Sequence, residues 1–268
     1  MLGGSLAGKS VLTVVPTAVS SYDYVNNLCM AEFVRLNKYI SSAGVCSRRQ
    51  ADVLISSGFV KVNGIIKTEL GCTIKLSDIV EYEGKVLGKP KLLYILLNKP
   101  KDCITTSNDP QGRKTVFDIL GVAYTSRIYP VGRLDRNTTG LLMLTNDGDL
   151  AKNLSHPSGC IKKVYNIELN RPLKSVDFKK ILSGVILEDG VVNVDDFAIL
   201  SKDKRTVGVE LHSGRNRVIR RLFEQLEYEI VKLDRVVYGN LTKKNLPLGK
   251  WRELTITEIS DLMSPICI

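Results

Sequence analysis

One short apolar run, Leu141-Leu142-Met143-Leu144, constrains this chain more than any other stretch. It lies between a polar loop and the turn residues Asn146-Asp147-Gly148. A run of that length and character, stopped by turn chemistry, is a buried strand. The loop ahead of it, Gly132-Arg133-Leu134-Asp135-Arg136-Asn137-Thr138-Thr139, therefore packs against a rigid element. Polar residues held on such a loop often carry function. Asp135 stands between Arg133 and Arg136, an arrangement that either supports chemistry or merely ties the loop down. Physical reasoning alone leaves those readings even.

The flanking sequence repeats the strand signal. An apolar run over 92–97 is stopped by Asn98-Lys99-Pro100, and further strands are expected at 127–131, 163–169, 193–200, 205–211, 228–238 and 251–257. Helical spacing falls at 116–120 and 149–154. Ser175 is placed to cap a helix running to Gly184, and Asn216 to cap one carrying Arg217, Arg220, Arg221 and Phe223. Asp147 and Asp149 read as turn and cap residues, and His212 as structural. Many strands crossed by a few helices make residues 92–262 an α+β domain with a large mixed or antiparallel sheet.

A smaller unit precedes it, over 33–84. Leu36, Tyr39 and Ile40 have helical spacing, and Gly44 suits a C-terminal cap. Ser47-Arg48-Arg49-Gln50 reads as a capping box opening a second helix that ends at Gly58. Phe59, Val60 and Val62 then form a strand that turns at Asn63-Gly64 into Ile65-Ile66, with another strand at 79–82. The unit is helix, helix, small sheet. Arg48 and Arg49 occupy a first helical turn, where the dipole disfavours cations. With Arg35, Lys38 and Lys61 they are candidates for phosphate contacts. Residues 85–91, rich in Gly, Pro and Lys, read as a linker. Residues 1–32 read as a flexible extension.

Gly3-Gly4-Ser5-Leu6-Ala7-Gly8-Lys9-Ser10 satisfies the phosphate-loop pattern G-x-x-x-x-G-K-[ST]. That loop works only between a buried strand and a helix, and nothing ahead of Gly3 can supply the strand, so no nucleotide site is expected there. A formal net charge of +10 favours a polyanionic partner. None of the six cysteines has C-x-x-C spacing, and the two histidines stand in no ligand pattern with them, so no metal site is expected. No apolar run approaches the ~20 residues of a membrane span. A cytoplasmic protein acting as a monomer is expected.

Several of these stretches resemble known families. Arg35-Leu36-Asn37-Lys38-Tyr39-Ile40, Gly44-Val45-Cys46-Ser47-Arg48-Arg49-Gln50-Ala51 and Gly58-Phe59-Val60-Lys61-Val62-Asn63-Gly64 resemble the RNA-binding module named after a small-subunit ribosomal protein. The loop and strand from Gly132 to Gly148 resemble the signature of the ribosomal RNA pseudouridine synthases that carry such a module. Agreement extends to Leu97-Asn98-Lys99-Pro100 with Thr105-Thr106-Ser107, to Lys163-Val164-Tyr165, to Gly214-Arg215-Asn216-Arg217-Val218-Ile219-Arg220-Arg221, and to Leu246-Pro247-Leu248-Gly249-Lys250-Trp251-Arg252-Glu253-Leu254.

The resemblance implies that Asp135 is the catalytic carboxylate, paired with Arg220 in a largely dry pocket. It implies that Tyr165 stacks on the target base, that Ile219 makes an apolar contact beneath it, and that Arg133 belongs to the substrate contacts. No cofactor or metal is implied, because the isomerisation needs none. The implied partner is structured ribosomal RNA or a pre-ribosomal particle. Asp109-Pro110-Gln111-Gly112-Arg113 looks more like the enzymes of the large subunit. Small-subunit RNA as substrate, or a non-catalytic RNA-binding assembly factor, are the alternatives.

Overall fold

The computed structural model describes residues 33–88, 91–107, 109–121, 127–156 and 160–264. The phosphate-loop-like stretch Gly3 to Ser10 and the extension over 1–32 lie outside them. The described chain divides into two units near residue 87.

The first unit is built from β1 (Phe33–Arg35), α1 (Leu36–Ser42), α2 (Arg48–Ser56), β2 (Val60–Val62), β3 (Ile65–Ile66), β4 (Thr73–Lys75), β5 (Val80–Tyr82) and β6 (Lys85–Val86). Ser47 caps α2, and Gln50 returns the bond to the Ser47 amide, as the capping box requires. Asn63 and Gly64 both take positive φ, 52° and 78°, so β2 and β3 pair Val62 with Ile65 across a two-residue turn. Asn63 also fastens the turn to the next loop through Asp78 and the Ile79 amide. β5 joins the other side of β2. The core is Leu36, Ile40, Ala51, Ile55, Val60, Val62, Ile74 and Val80.

The segment expected to begin a linker at 85 continues the sheet instead. Glu83 (φ 51°) and Gly84 (φ 72°) make a second two-residue turn, which pairs Tyr82 with Lys85 and Glu81 with Val86. Tyr39 then donates its hydroxyl hydrogen to the Leu87 carbonyl at 2.9 Å. Gly and Lys content suggested a connector because turn chemistry and linker chemistry use the same residues.

The second unit runs β7 (Tyr94–Lys99), α3 (Val116–Leu120), β8 (Tyr129–Pro130), β9 (Thr138–Thr145), α4 (Gly148–Ser155), β10 (Lys163–Leu169), α5 (Ser175–Ser183), β11 (Val185–Leu187), β12 (Gly190–Val192), β13 (Asp196–Ile199), β14 (Thr206–Leu211), α6 (Val218–Gln225), β15 (Ile230–Tyr238), β16 (Leu241–Thr242), β17 (Trp251–Glu253) and α7 (Ile256–Met263). Its nine-stranded sheet has the order β13-β14-β10-β15-β9-β7-β17, with β8 beside β9 and β16 beside β15. Only the β9–β15 pairing is parallel among the described strands.

Alternate residues of β7 and β9 enter two different cores. Ile95, Leu97, Leu142 and Leu144 pack with α3, α5 and α6, whereas Leu96, Leu141 and Met143 pack with α4 and α7. Helices cover both faces, so β9 has no solvated side, and its apolar run is continuous for that reason. Gly140 lies where β9 meets β15. A Cβ there, at φ +112°, would fall 2.3 Å from the Arg235 carbonyl oxygen. Only glycine lets the two backbones approach this closely.

Local caps differ from expectation in three places. Lys174, not Ser175, is the N-cap of α5, and no side chain caps it. Asn216 does not cap α6, because Arg217 occupies that position in left-handed backbone. The stretch expected as strand to 257 becomes helix at Ile256, started by Thr255 in a capping box with Glu258. Asp147 accepts from the Asp149 and Leu150 amides and caps α4 as expected.

Candidate active site

The loop before β9 is fastened on both sides of Asp135. Ahead of it, Thr105 donates to the Leu134 carbonyl at 2.9 Å and accepts from the Leu134 amide at 3.3 Å. Behind it, the Thr138 amide closes a turn onto the Asp135 carbonyl, and the Asp102 amide donates to the Arg136 carbonyl, each at 3.0 Å. Beneath lies Lys99, fully buried at the end of β7. Its ammonium donates to the carbonyls of Pro100, Arg136 and Thr138 at 3.0, 3.3 and 2.8 Å. Burial pulls the Lys99 pKa down to about 8, against the opposing pull of Cys103, Asp135 and Asp102. A lysine between the apolar run over 92–97 and Pro100 was the available signal for this anchor.

The cations facing Asp135 come from the N-cap and first turn of α6. Arg217 Nη1 donates to Asp135 Oδ2 at 3.3 Å, and Arg220 Nε lies 3.5 Å from the same oxygen. Arg220 also donates from Nη2 to the Thr138 hydroxyl at 3.3 Å, and its side chain is 14% exposed. The sequence neighbours of Asp135 play other parts. Arg136 binds Asp102 at 3.0 Å, and Arg133 is exposed on the cavity wall. The Asp135 side chain is 39% exposed, so the carboxylate stands at a solvent-facing mouth rather than in the dry pocket expected.

Behind that mouth lies a cavity of about 180 Å³, lined among others by Arg133, Asp135, Tyr165, Ile219 and Arg220. The structure thus brings all five expected residues to one place. Tyr165 comes from β10, pointing inward beside its β14 partner Val209, and Ile219 from the first turn of α6. Both are nearly buried.

Three further cations share the cavity: Lys163 and Arg215, which stood in the motifs quoted above without a role of their own, and Arg235, which sequence reasoning did not single out. The β10–β15 register pairs Lys163 with Tyr238 and Tyr165 with Arg235, so four residues of β15 span three of β10. This bulge turns Arg235 and Tyr238 onto one face, where the guanidinium lies 4.7 Å from the ring centre. Arg235 Nε donates to the Leu141 carbonyl at 2.7 Å. Lys163 Nζ donates to the His212 carbonyl at 2.9 Å, and His212 itself is held by Asp195. Burial, then the charge of Arg235, pull the Lys163 pKa down to about 8. An isolated charge inside an apolar strand was the only signal for Arg235.

The expected RNA contacts of the first unit are placed separately. Arg48 and Arg49 are exposed at the start of α2, Arg35 on β1 and Lys61 on β2, while Lys38 on α1 is half-buried. Among the described residues, no helix is long and apolar enough to cross a membrane.

Comparison with known proteins gives a consistent result. Residues 93–225 match the RNA pseudouridylate synthase family, and residues 34–80 match the S4 domain. A Bacillus subtilis protein named ribosomal large subunit pseudouridine synthase B is 41% identical over 232 residues, covering 85% of this chain and 95% of its own. An Aquifex aeolicus protein named as an uncharacterized RNA pseudouridine synthase is 38% identical over 87% of this chain and 95% of its own. A crystal structure described as a pseudouridylate synthase superposes with a TM-score of 0.61 at 27% identity, covering 86% of this chain and all of that one.

Proposed function

We propose that this chain, which belongs to the RNA pseudouridylate synthase family, isomerises a uridine of large-subunit ribosomal RNA to pseudouridine with Asp135 as its reacting carboxylate. The observation that carries the assignment of Asp135 is its position. Among the described residues it is the one carboxylate on the cavity wall, faced by Arg217 at the cap of α6 and Arg220 within it, and set on a loop anchored by Thr105 and Lys99. The name of the Bacillus subtilis relative supports the large subunit as the source of the RNA. The S4 domain and the basic charge support binding to structured RNA.

The reaction breaks the bond between uracil and the anomeric carbon, turns the base and rejoins it through C5. A carboxylate can serve by attacking the anomeric carbon, as in retaining glycosidases, or by removing a ribose proton. Both routes need an ionised group fixed beside the sugar. Arg217 and Arg220 match its charge and orient it. The uridine must leave its stack, at a cost of about a few kcal/mol. Tyr165 and Ile219 receive the extruded ring between an aromatic face and an aliphatic one, and Arg133 meets the nucleotide at the mouth.

The test is tritium release from large-subunit rRNA transcript labelled at uracil C5, with the wild type and with Asp135→Asn. Release by the wild type alone supports both the activity and the residue. Release by both proteins removes Asp135 from its role. Release only from small-subunit RNA transfers the substrate. RNA binding without release from either transcript favours an assembly factor.

A further inference from the structure

When the new bond joins the sugar to C5, that carbon still carries its hydrogen. The hydrogen must leave as a proton before the ring regains its double bond. This step needs a basic atom at the ring edge with an affinity for protons near the working pH. A phenol such as Tyr165 accepts a proton only after losing its own, and Asp135 is turned toward two guanidinium groups. We propose that the acceptor is the side-chain amine of Lys163, an assignment that rests on the pseudouridine synthase reading above.

Lys163 and Tyr165 are two residues apart on β10, so they share one face of the sheet, about 6.6 Å apart along the strand. Both line the cavity. A ring stacked on Tyr165 therefore has an edge next to Lys163. The hydrogen-bond partners of Nζ are the backbone carbonyls of His212 at 2.9 Å and Ser213 at 3.5 Å. A neutral amine has two hydrogens for those two carbonyls, which leaves its lone pair at the remaining position.

The charged surroundings favour that neutral form. Burial acts first, and Arg235 on β15 repels the ammonium, while Asp195 and Cys160 oppose them. The cross-strand partner on β15 is Tyr238, a phenol whose hydroxyl is spent on the Leu154 carbonyl. From the loop after β14, Arg215 also lines the cavity, but its guanidinium is turned to the Gly190 and Val191 carbonyls and to Asp189. With a pKa of about 8, the amine can both take a proton and release it near neutral pH.

The step balances without any co-reactant. The C5–H bond breaks, and its proton passes to Nζ. Its electron pair forms the C5–C6 double bond, and the former C6–N1 pair moves to N1, which takes a proton from solvent. The ammonium then returns its proton to solvent.

The experiment compares single-turnover product formation by the wild type, Lys163→Arg and Lys163→Met on transcripts carrying uridine or 5-deuterouridine. Arginine can keep both carbonyl bonds and the charge but cannot accept a proton. The expected result is a loss of about 100-fold in both variants, with unchanged RNA affinity and a primary isotope effect larger than that of the wild type. Near-wild-type turnover by Lys163→Arg would overturn the proposal. So would a slow variant with no added isotope effect, since Lys163 would then only hold the Ser213 loop. A wild type that forms no pseudouridine from any ribosomal RNA would instead defeat the functional reading itself.

Discussion

Arg217 reaches Asp135 from left-handed backbone: its φ is 47°, and its Nη1 stands 3.3 Å from the Asp135 Oδ2. A residue with a Cβ costs about 1–2 kcal/mol in that region. The cap of α6 is strained where it meets the Asp135 carboxylate, and a glycine would relieve it.

Arg217→Gly is therefore expected to leave the melting temperature unchanged or raised while slowing the reaction. The pair is half-exposed, so its loss should cost no more than about 1 kcal/mol, or about 5-fold in rate. Arg220→Ala removes a mostly buried cation that also holds Thr138, and about 10- to 100-fold in kcat is expected at unchanged RNA affinity. Thermal melts and single-turnover kinetics on both variants check this ranking. A reversed order would mean that the exposed arginine does the orienting.

Gly140→Ala should fail differently. Its Cβ would meet the Arg235 backbone at 2.3 to 2.8 Å, and backbone cannot step aside as a side chain does. A loss of at least about 3 kcal/mol in stability is expected, at the upper end of overpacking costs. Urea unfolding reads it directly, and a loss below about 1 kcal/mol would show that β9 and β15 can separate.

Lys99 predicts a pH dependence. Its pKa is about 8 when folded and has its ordinary, higher value when unfolded. Below pH 8 both states hold the proton, and the folded state bears the full burden of a buried ammonium. Between about 8 and 10.5 the unfolded state binds more protons, so this residue's contribution to stability rises with pH. The stability difference between wild type and Lys99→Met should shift in favour of the wild type over that window. Equal differences at pH 7 and pH 10 would count against it.

Arg48 and Arg49 can be tested through salt. If each meets a phosphate, replacing either with glutamine lowers the slope of log affinity against log salt by about 1. The effect should be similar for unrelated structured RNAs. An unchanged slope would leave these arginines as part of a solvated face.

The parts of the molecule legible in the sequence were those determined locally. Ser47 with Gln50 and Asn63 with Gly64 build their cap and turn from neighbouring residues alone. The Asp135 loop could be located from the apolar run behind it. What escaped was set by distant partners. The partner of the Arg217 cap, Asp135, lies 82 residues away in the chain, and the β15 bulge shows only against the register of β10. The β11–β12 hairpin was missed although Asp189-Gly190, set between Val185-Ile186-Leu187 and Val191-Val192, carried a strong local turn signal. In α7, β-branched Ile256 and Thr257 mimic a continuing strand, although Thr255 and Glu258 carried the opposite signal.

The β9–β15 contact, the one parallel pairing of strands among those described, also orders events in time. Asp135 precedes Arg235 by 100 residues of chain. At ribosomal rates of about 5–20 residues per second, some 5–20 s separate their synthesis. The first unit closes its hydrogen bonds over shorter spans, such as the 48 residues between Tyr39 and Leu87. A growing chain can thus complete its first unit before it owns a pocket, and the Asp135 carboxylate stays without Arg217 and Arg220 until the start of α6 has been made.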